Sequence, residues 1–238
     1  MPLNWGRKPT SKALTTITET TIDSRHVTGQ TYENLRLERV NFDNCSATRC
    51  RFSRVEVLAC RLWSCTLRDP TLEDVIIRDV RTTVIDGPGK RTPFFVWGGT
   101  AKHVVLQGRL GGLIWNQPDE WRDKSNEMKR VRNYYEKVDW AIDISEARFQ
   151  SVPSFDFGPP GELVRRDAAT QPLVRRERAL AVDWKSLGHQ IGVWRVVLND
   201  LVAHEWPDSI VLVPAALGRK YREELEGIEM LRSIGLAE

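Results

Sequence analysis

Between Leu35 and Val80 apolar residues recur at every fifth position, in two columns. Leu35, Val40, Cys45, Cys50, Val55, Cys60, Cys65, Pro70, Val75 and Val80 make the first. Leu37, Phe42, Ala47, Phe52, Val57, Leu62, Leu67, Leu72 and Ile77, two residues later each time, make the second. Arg, Glu, Asp, Asn, Ser and Thr fill most positions between them. This period is neither the 3.6 of an α-helix nor the 2.0 of a strand. A short period that does not drift marks a solenoid. A chain that sends a pair of side chains inward every five residues must turn a corner once per repeat.

The pattern resembles the pentapeptide-repeat proteins, whose consensus puts a small residue at i−2 and Leu or Phe at i. Val or Leu replaces the small residue at several positions here, and Pro70 stands inward. The resemblance implies a mainly β fold, a right-handed, four-sided pentapeptide-type β-helix with four repeats per coil. Residues twenty apart then stack at the strand spacing of about 4.8 Å. The outward positions agree with that rule. Arg49 precedes Asp69, Arg54 precedes Asp74, Arg36 precedes Glu56 and Asn44 precedes Ser64 by twenty residues each. Opposite charges facing across a ladder stabilise modestly.

The rest of the chain is read outward from this stretch. Residues 1–15 are polar and expected to be loose. Ile22, Val27 and Tyr32 continue the second column backwards, whereas Thr20, Arg25 and Gln30 occupy the first, as in a degenerate first coil. After the turn at Asp86-Gly87-Pro88-Gly89, strands are expected at Phe94–Trp97 and from His103 to Trp115. There Val105, Leu110 and Trp115, preceded by His103, Gly108 and Leu113, suggest inward pairs in a shifted frame. Residues 118–137, with Trp121, Met128, Val131 and Tyr135 on one face, read as a helical excursion. Ile142 with Ile144 and Ala147 with Phe149 return to the pattern, so the β-helix is expected over 16–152. Three prolines and two glycines in Pro153–Glu162 suggest a boundary, and 160–238 reads as a mainly helical C-terminal region. Its last helix, about Gly218–Ile234, carries a stripe of Tyr221, Leu225, Ile228 and Leu231 that suits capping of the solenoid or a homodimer.

Charge narrows the functional classes. The net charge is +3, from 35 basic and 32 acidic residues. Within 31–80 eight Arg face eight Asp or Glu, so the repeat surface is neutral. Nucleic acid is therefore an unexpected partner. Topoisomerase protection by DNA mimicry, which the family resemblance raises, needs an acidic face that this balance disfavours. The N-terminus has no apolar leader and no stretch approaches a membrane span, so a cytoplasmic protein is expected.

Candidate chemistry is sparse. Cys45, Cys50, Cys60 and Cys65 follow C-x4-C-x9-C-x4-C, longer than usual zinc pairs, and all stand in the inward column. Packing as small hydrophobes is the expectation, with no metal or cofactor. His26, His103, His189 and His204 form no catalytic motif, and His103 is expected inward. Asp139 and Asp143 flank Trp140 on one strand face, and Arg165-Arg166 with Arg175-Arg176 make a basic patch. Trp63, following inward Leu62, is expected to point outward near Asp43. With Arg49 and Arg54 it is the candidate protein-binding set, since Trp and Arg dominate interface hot spots. The reading this favours is a non-enzymatic protein-binding module with an unidentified partner, an immunity, protective or regulatory factor by analogy with bacterial members of the family. The alternative is an enzyme whose site lies between solenoid and C-terminal helices, around Asp139, Asp143 and His189.

Overall fold

A computed structural model of the chain describes residues 13–83, 93–117, 124–155 and 158–238. The five-residue period has a backbone cause. The residue before each first-column position lies in the left-handed region. The series runs Glu19, Ser24, Gly29, Asn34 and on in fives to Asp79, with φ between 48° and 66°. One such residue turns the extended chain onto the next face. Only one of these thirteen corners is glycine, and a non-glycine residue there costs about 1 kcal/mol. Asn and Asp, which bear that conformation best, hold five of the others. The corner amides offset the cost by bonding the next coil, as in Ser24 N–H to Asp43 C=O at 2.9 Å and Asn44 N–H to Trp63 C=O at 2.8 Å.

Four such corners close each coil, and about six turns stack in parallel. The first coil holds β1 (Thr15–Thr18), β2 (Thr21–Asp23) and β3 (His26–Thr28). The second holds β4 (Thr31–Glu38), β5 (Asn41–Asp43) and β6 (Ser46–Thr48). The third holds β7 (Arg51–Leu58), β8 (Arg61–Trp63) and β9 (Thr66–Arg68). The fourth holds β10 (Thr71–Arg78), β11 (Arg81–Thr83) and β12 (Phe94–Trp97). The fifth holds β13 (Thr100–Lys102), β14 (Val104–Leu110) and β15 (Leu113–Asn116). Strands β4, β7 and β10 pass over a corner and so serve two faces. The register is twenty residues in the early coils, with Leu35 beside Val55 and Val55 beside Val75. The turn at 86–89 falls outside the described residues. Between β11 and β12 the step lengthens, so that Ile76 pairs with Val105.

That step explains one departure from the sequence reading. The corners resume at Gly98, His103 and Gly108, still five apart. The inward residues are Val104 and Leu106, both buried, rather than Val105. His103 and Gly108 are corners and not lumen residues. A Cβ on Gly108 would sit 2.4 Å from Asp79 Oδ1, so a larger residue there would displace the carboxylate that accepts the Arg109 amide at 2.9 Å.

The inward column also shows why cysteine suits it. Each thiol is small and its one S–H has two carbonyls within reach, one two residues earlier and one in the coil beneath. Cys45 reaches Asp43 O at 3.2 Å and Ile22 O at 3.3 Å, and Cys65 reaches Trp63 O at 3.1 Å and Phe42 O at 3.6 Å. Burial pushes the Cys65 thiol up to about 11.

Helix α1 (Lys124–Tyr135) leaves the solenoid after β15 and packs back on its flank. Arg130 meets Asp69 at 3.1 Å, and Tyr135 accepts a bond from the Ala101 amide at 3.2 Å while stacking on Trp206. Strands β16 (Ile142–Asp143), β17 (Ala147–Phe149) and β18 (Val164–Arg165) extend the stack. Because β16 pairs with β18, the sheet runs past Pro153–Glu162, where composition suggested a boundary. The C-terminal part holds β19 (Leu173–Arg175), α2 (Arg176–Ala181), α3 (Trp194–Ala203), β20 (Ser209–Val211) and α4 (Tyr221–Ser233). Within the region expected to be mainly helical, Leu173–Arg175 instead form β19, antiparallel to β20. Phe149, Phe155, Leu173, Trp206, Val211 and Val213 fill the junction as one apolar cluster with the solenoid interior. Among the described residues no helix is long and apolar enough to cross a membrane.

Candidate interaction surface

The parallel ladder stacks Asn34, Arg54, Asp74 and His103 into one corner column, with φ of 53°, 54°, 53° and 55°. Fixed backbone at each corner holds these side chains at coil spacing, so they bond along the axis. Arg54 Nε donates to Asn34 Oδ1 at 2.6 Å, and its guanidinium lies 3.8 Å from Glu33. Two coils further, His103 Nδ1 lies 3.1 Å from Asp74 Oδ1 and Nε2 lies 2.7 Å from Asp139 Oδ1. A neutral imidazole carries one N–H, so both carboxylates receive a proton-donated bond only when the ring is protonated. The bond from His103 holds the Asp139 carboxyl below its ordinary range.

An aromatic sits on the same surface. The His103 ring lies 4.7 Å from Trp140, and the Arg165 guanidinium lies 4.2 Å over the same indole. Trp140 is half-buried, while Arg165, Asp74 and Asp139 are exposed. Four successive coils thus contribute to one surface, with Trp140 against both the His103 ring and the Arg165 guanidinium, and Asp74 and Asp139 on the His103 nitrogens. An ordered Trp–Arg pair offers contact area at low entropic cost, and the carboxylates set charge preference.

The residues singled out in the sequence fall on different sides. Arg49 and Arg54 are adjacent corners bounding the face that contains Arg51 and Ser53. Trp63 is two faces away, on the opposite side, so the three share no single patch. Its Cα partner is Asp43, as expected, but its side chain is half-buried and its indole nitrogen is buried without a partner among the described residues. Arg36 pairs with Glu56 at 3.3 Å across twenty residues. Asp69 instead turns to Arg130 of α1, and Arg54 bonds backwards to Asn34 rather than forwards to Asp74.

Asp139, Asp143 and His189 belong to three local arrangements. Asp139 engages His103, while Asp143 accepts the Ser145 amide at 3.0 Å and its hydroxyl at 2.6 Å. His189 lies in the 3-10 segment Trp184–Ile191 of the C-terminal part. Of the other histidines, His26 Nδ1 lies 2.8 Å from Ser46 Oγ and His204 Nδ1 lies 2.8 Å from Asp200 O. Arg175 pairs with Glu162 and Arg176 with Asp208, which takes them out of any free basic patch. Among the described residues no group of three or more His, Cys, Asp and Glu is placed to hold a metal. The His103–Asp139 contact was missed in the sequence because His103 was counted inward. Gly98 and Gly108, five residues on either side, carry the signal that would have set the frame. No protein-family model matches the chain, and no curated protein matches it.

Proposed function

We propose that this chain is a non-enzymatic protein-binding module of pentapeptide-repeat type. Its partner docks on the corner surface of Arg54, Asp74, His103, Asp139, Trp140 and Arg165. The observation that carries this reading is the contact of the Trp140 indole with both His103 and Arg165, where His103 also meets two exposed carboxylates. A solenoid suits such a role because stacked coils hold distant side chains at fixed spacing without a costly ordering step on binding. An immunity, protective or regulatory activity would follow from occupying the partner's own surface. The family assignment rests on the period and the four-cornered coil, since fold alone does not settle function. Self-association through the C-terminal helices is part of the same proposal. It draws on Leu180 of α2 and Val196 of α3, which are 67% and 60% exposed.

The test is affinity capture of the tagged chain from its native lysate, run beside Trp140→Ala and Trp63→Ala variants of unchanged melting temperature. A stoichiometric partner lost with Trp140→Ala and kept with Trp63→Ala supports the corner surface. Loss with Trp63→Ala alone moves the site to the opposite face. Retention by both removes this assignment, and sedimentation of Leu180→Glu decides the dimer.

A further inference from the structure

The interior of the solenoid is not filled. A cavity of about 330 Å³ runs through the coils, its wall reaching from Ile22 in the first coil to Phe149 in the sixth. Protein interiors normally leave few voids larger than a water molecule. The inward residues show the gap directly, because Phe42, Phe52, Leu62, Leu67 and Ile77 are only half-buried although coils cover them above and below. The cause lies in side-chain volume. Cys45, Cys65 and Ala47 line this space at positions where longer side chains would close it. The wall is mostly apolar and opens to solvent at exposed residues, so it offers an apolar ligand a site with an entry.

Arg25 and His26 stand at one end of the wall, whereas the hydroxyls of Ser46, Thr66 and Thr82 are spread along it. Arg25 stands in the inward column of the first coil, one coil before Cys45, and is exposed. Exposed His26 lies next to it on the wall. A narrow apolar channel with a guanidinium at its first coil matches one ligand shape, a straight hydrocarbon chain ending in an anion. Arg pairs with carboxylate through two parallel hydrogen bonds. We infer that the solenoid lumen binds a long-chain fatty acid, with the hydrocarbon inside the coils and the carboxylate at Arg25.

The experiment titrates the delipidated full chain with dodecanoate and, separately, with dodecanol, following heat by calorimetry and melting temperature by circular dichroism. Saturable binding of one dodecanoate per chain is expected, with a rise in melting temperature of about 3–5 °C at saturation. Ala47→Leu puts a side chain into the channel and should abolish binding of both probes. Should that variant fold poorly, Arg25→Ala carries the test. It should weaken dodecanoate at least about tenfold and leave dodecanol unchanged, as expected when one charge-assisted pair is removed. Absence of saturable binding to the folded chain overturns the inference. So does full dodecanoate affinity in Arg25→Ala, or in a folded Ala47→Leu variant.

Discussion

The solenoid and the C-terminal part bury their apolar residues by different means. In the coils every residue has a counterpart one coil away, and the backbone ladder sets the spacing. A column therefore accepts Leu, Val, Cys or Pro at equivalent positions. In the C-terminal part the core is a closed cluster around individual large side chains, Trp184, Trp194, Leu198, Ile228 and Leu231, all nearly inaccessible. Trp194 Nε1–H donates to Glu224 O at 2.8 Å, and Gly227 lets the indole approach α4. Periodic stacking tolerates exchange of one apolar residue for another. A closed core depends on particular shapes.

The change with the largest expected effect attacks the stack. Val55, 2% exposed, lies between Leu35 and Val75 in adjacent coils. Val55→Asp puts a carboxyl into the interior and should cost more than about 4 kcal/mol. Far-ultraviolet circular dichroism should show no cooperative transition, and a folded, cooperatively melting variant would refute the register. Trp194→Ala should cost about 4 kcal/mol through loss of a buried indole and its hydrogen bond. Hydrogen exchange should then show faster exchange in α3 and α4 while the amides of β7 keep their protection. Equal loss in both places would mean that the two regions melt as one unit.

Gly227→Ala is the finer version of the same comparison. Its Cβ would lie 2.8 Å from Trp194 Cδ1, so a loss of about 2 kcal/mol is expected in chemical denaturation. An unchanged midpoint would show that α4 can move away from the indole. Asp139→Asn probes the corner surface through pH. The His103 bond lowers the Asp139 folded-state value, so its contribution is full above the ordinary carboxylate range and fades as pH falls through the lowered value. The melting difference between the parent and Asp139→Asn should shrink below about pH 4, and a gap that persists near pH 2 would contradict a charge-based bond. Smallest of all, Arg54→Ala should change stability by no more than about 0.5 kcal/mol, because its partners are solvent-exposed. A larger loss would show that the corner ladder stabilises the stack as well as presenting a surface.

Much of the solenoid was legible in the sequence because its period is local. Each corner falls where one left-handed residue precedes an inward residue, and the twenty-residue register followed from four such corners. The frame between Gly98 and Gly108 was harder to place. The inward pair there moves from Val105 to Val104 and Leu106 while Leu110 and Trp115 are buried as expected, and period alone does not say which positions move. The candidate surface was only half legible. Arg54 was singled out, but its neighbours His103, Asp139, Trp140 and Arg165 come from three later segments.

By itself, then, the amino-acid sequence determined the repeat, the columns of inward side chains and the stacking of residues twenty apart, because five-residue corners and parallel pairing act between near neighbours. Only the tertiary structure decided where the later coils align, that His103 faces two aspartates, that β18 still belongs to the solenoid, and that the lumen stays open. Each of these depends on how far the chain travels between coils or on the summed volume of side chains from distant segments, and no short stretch of sequence contains either quantity.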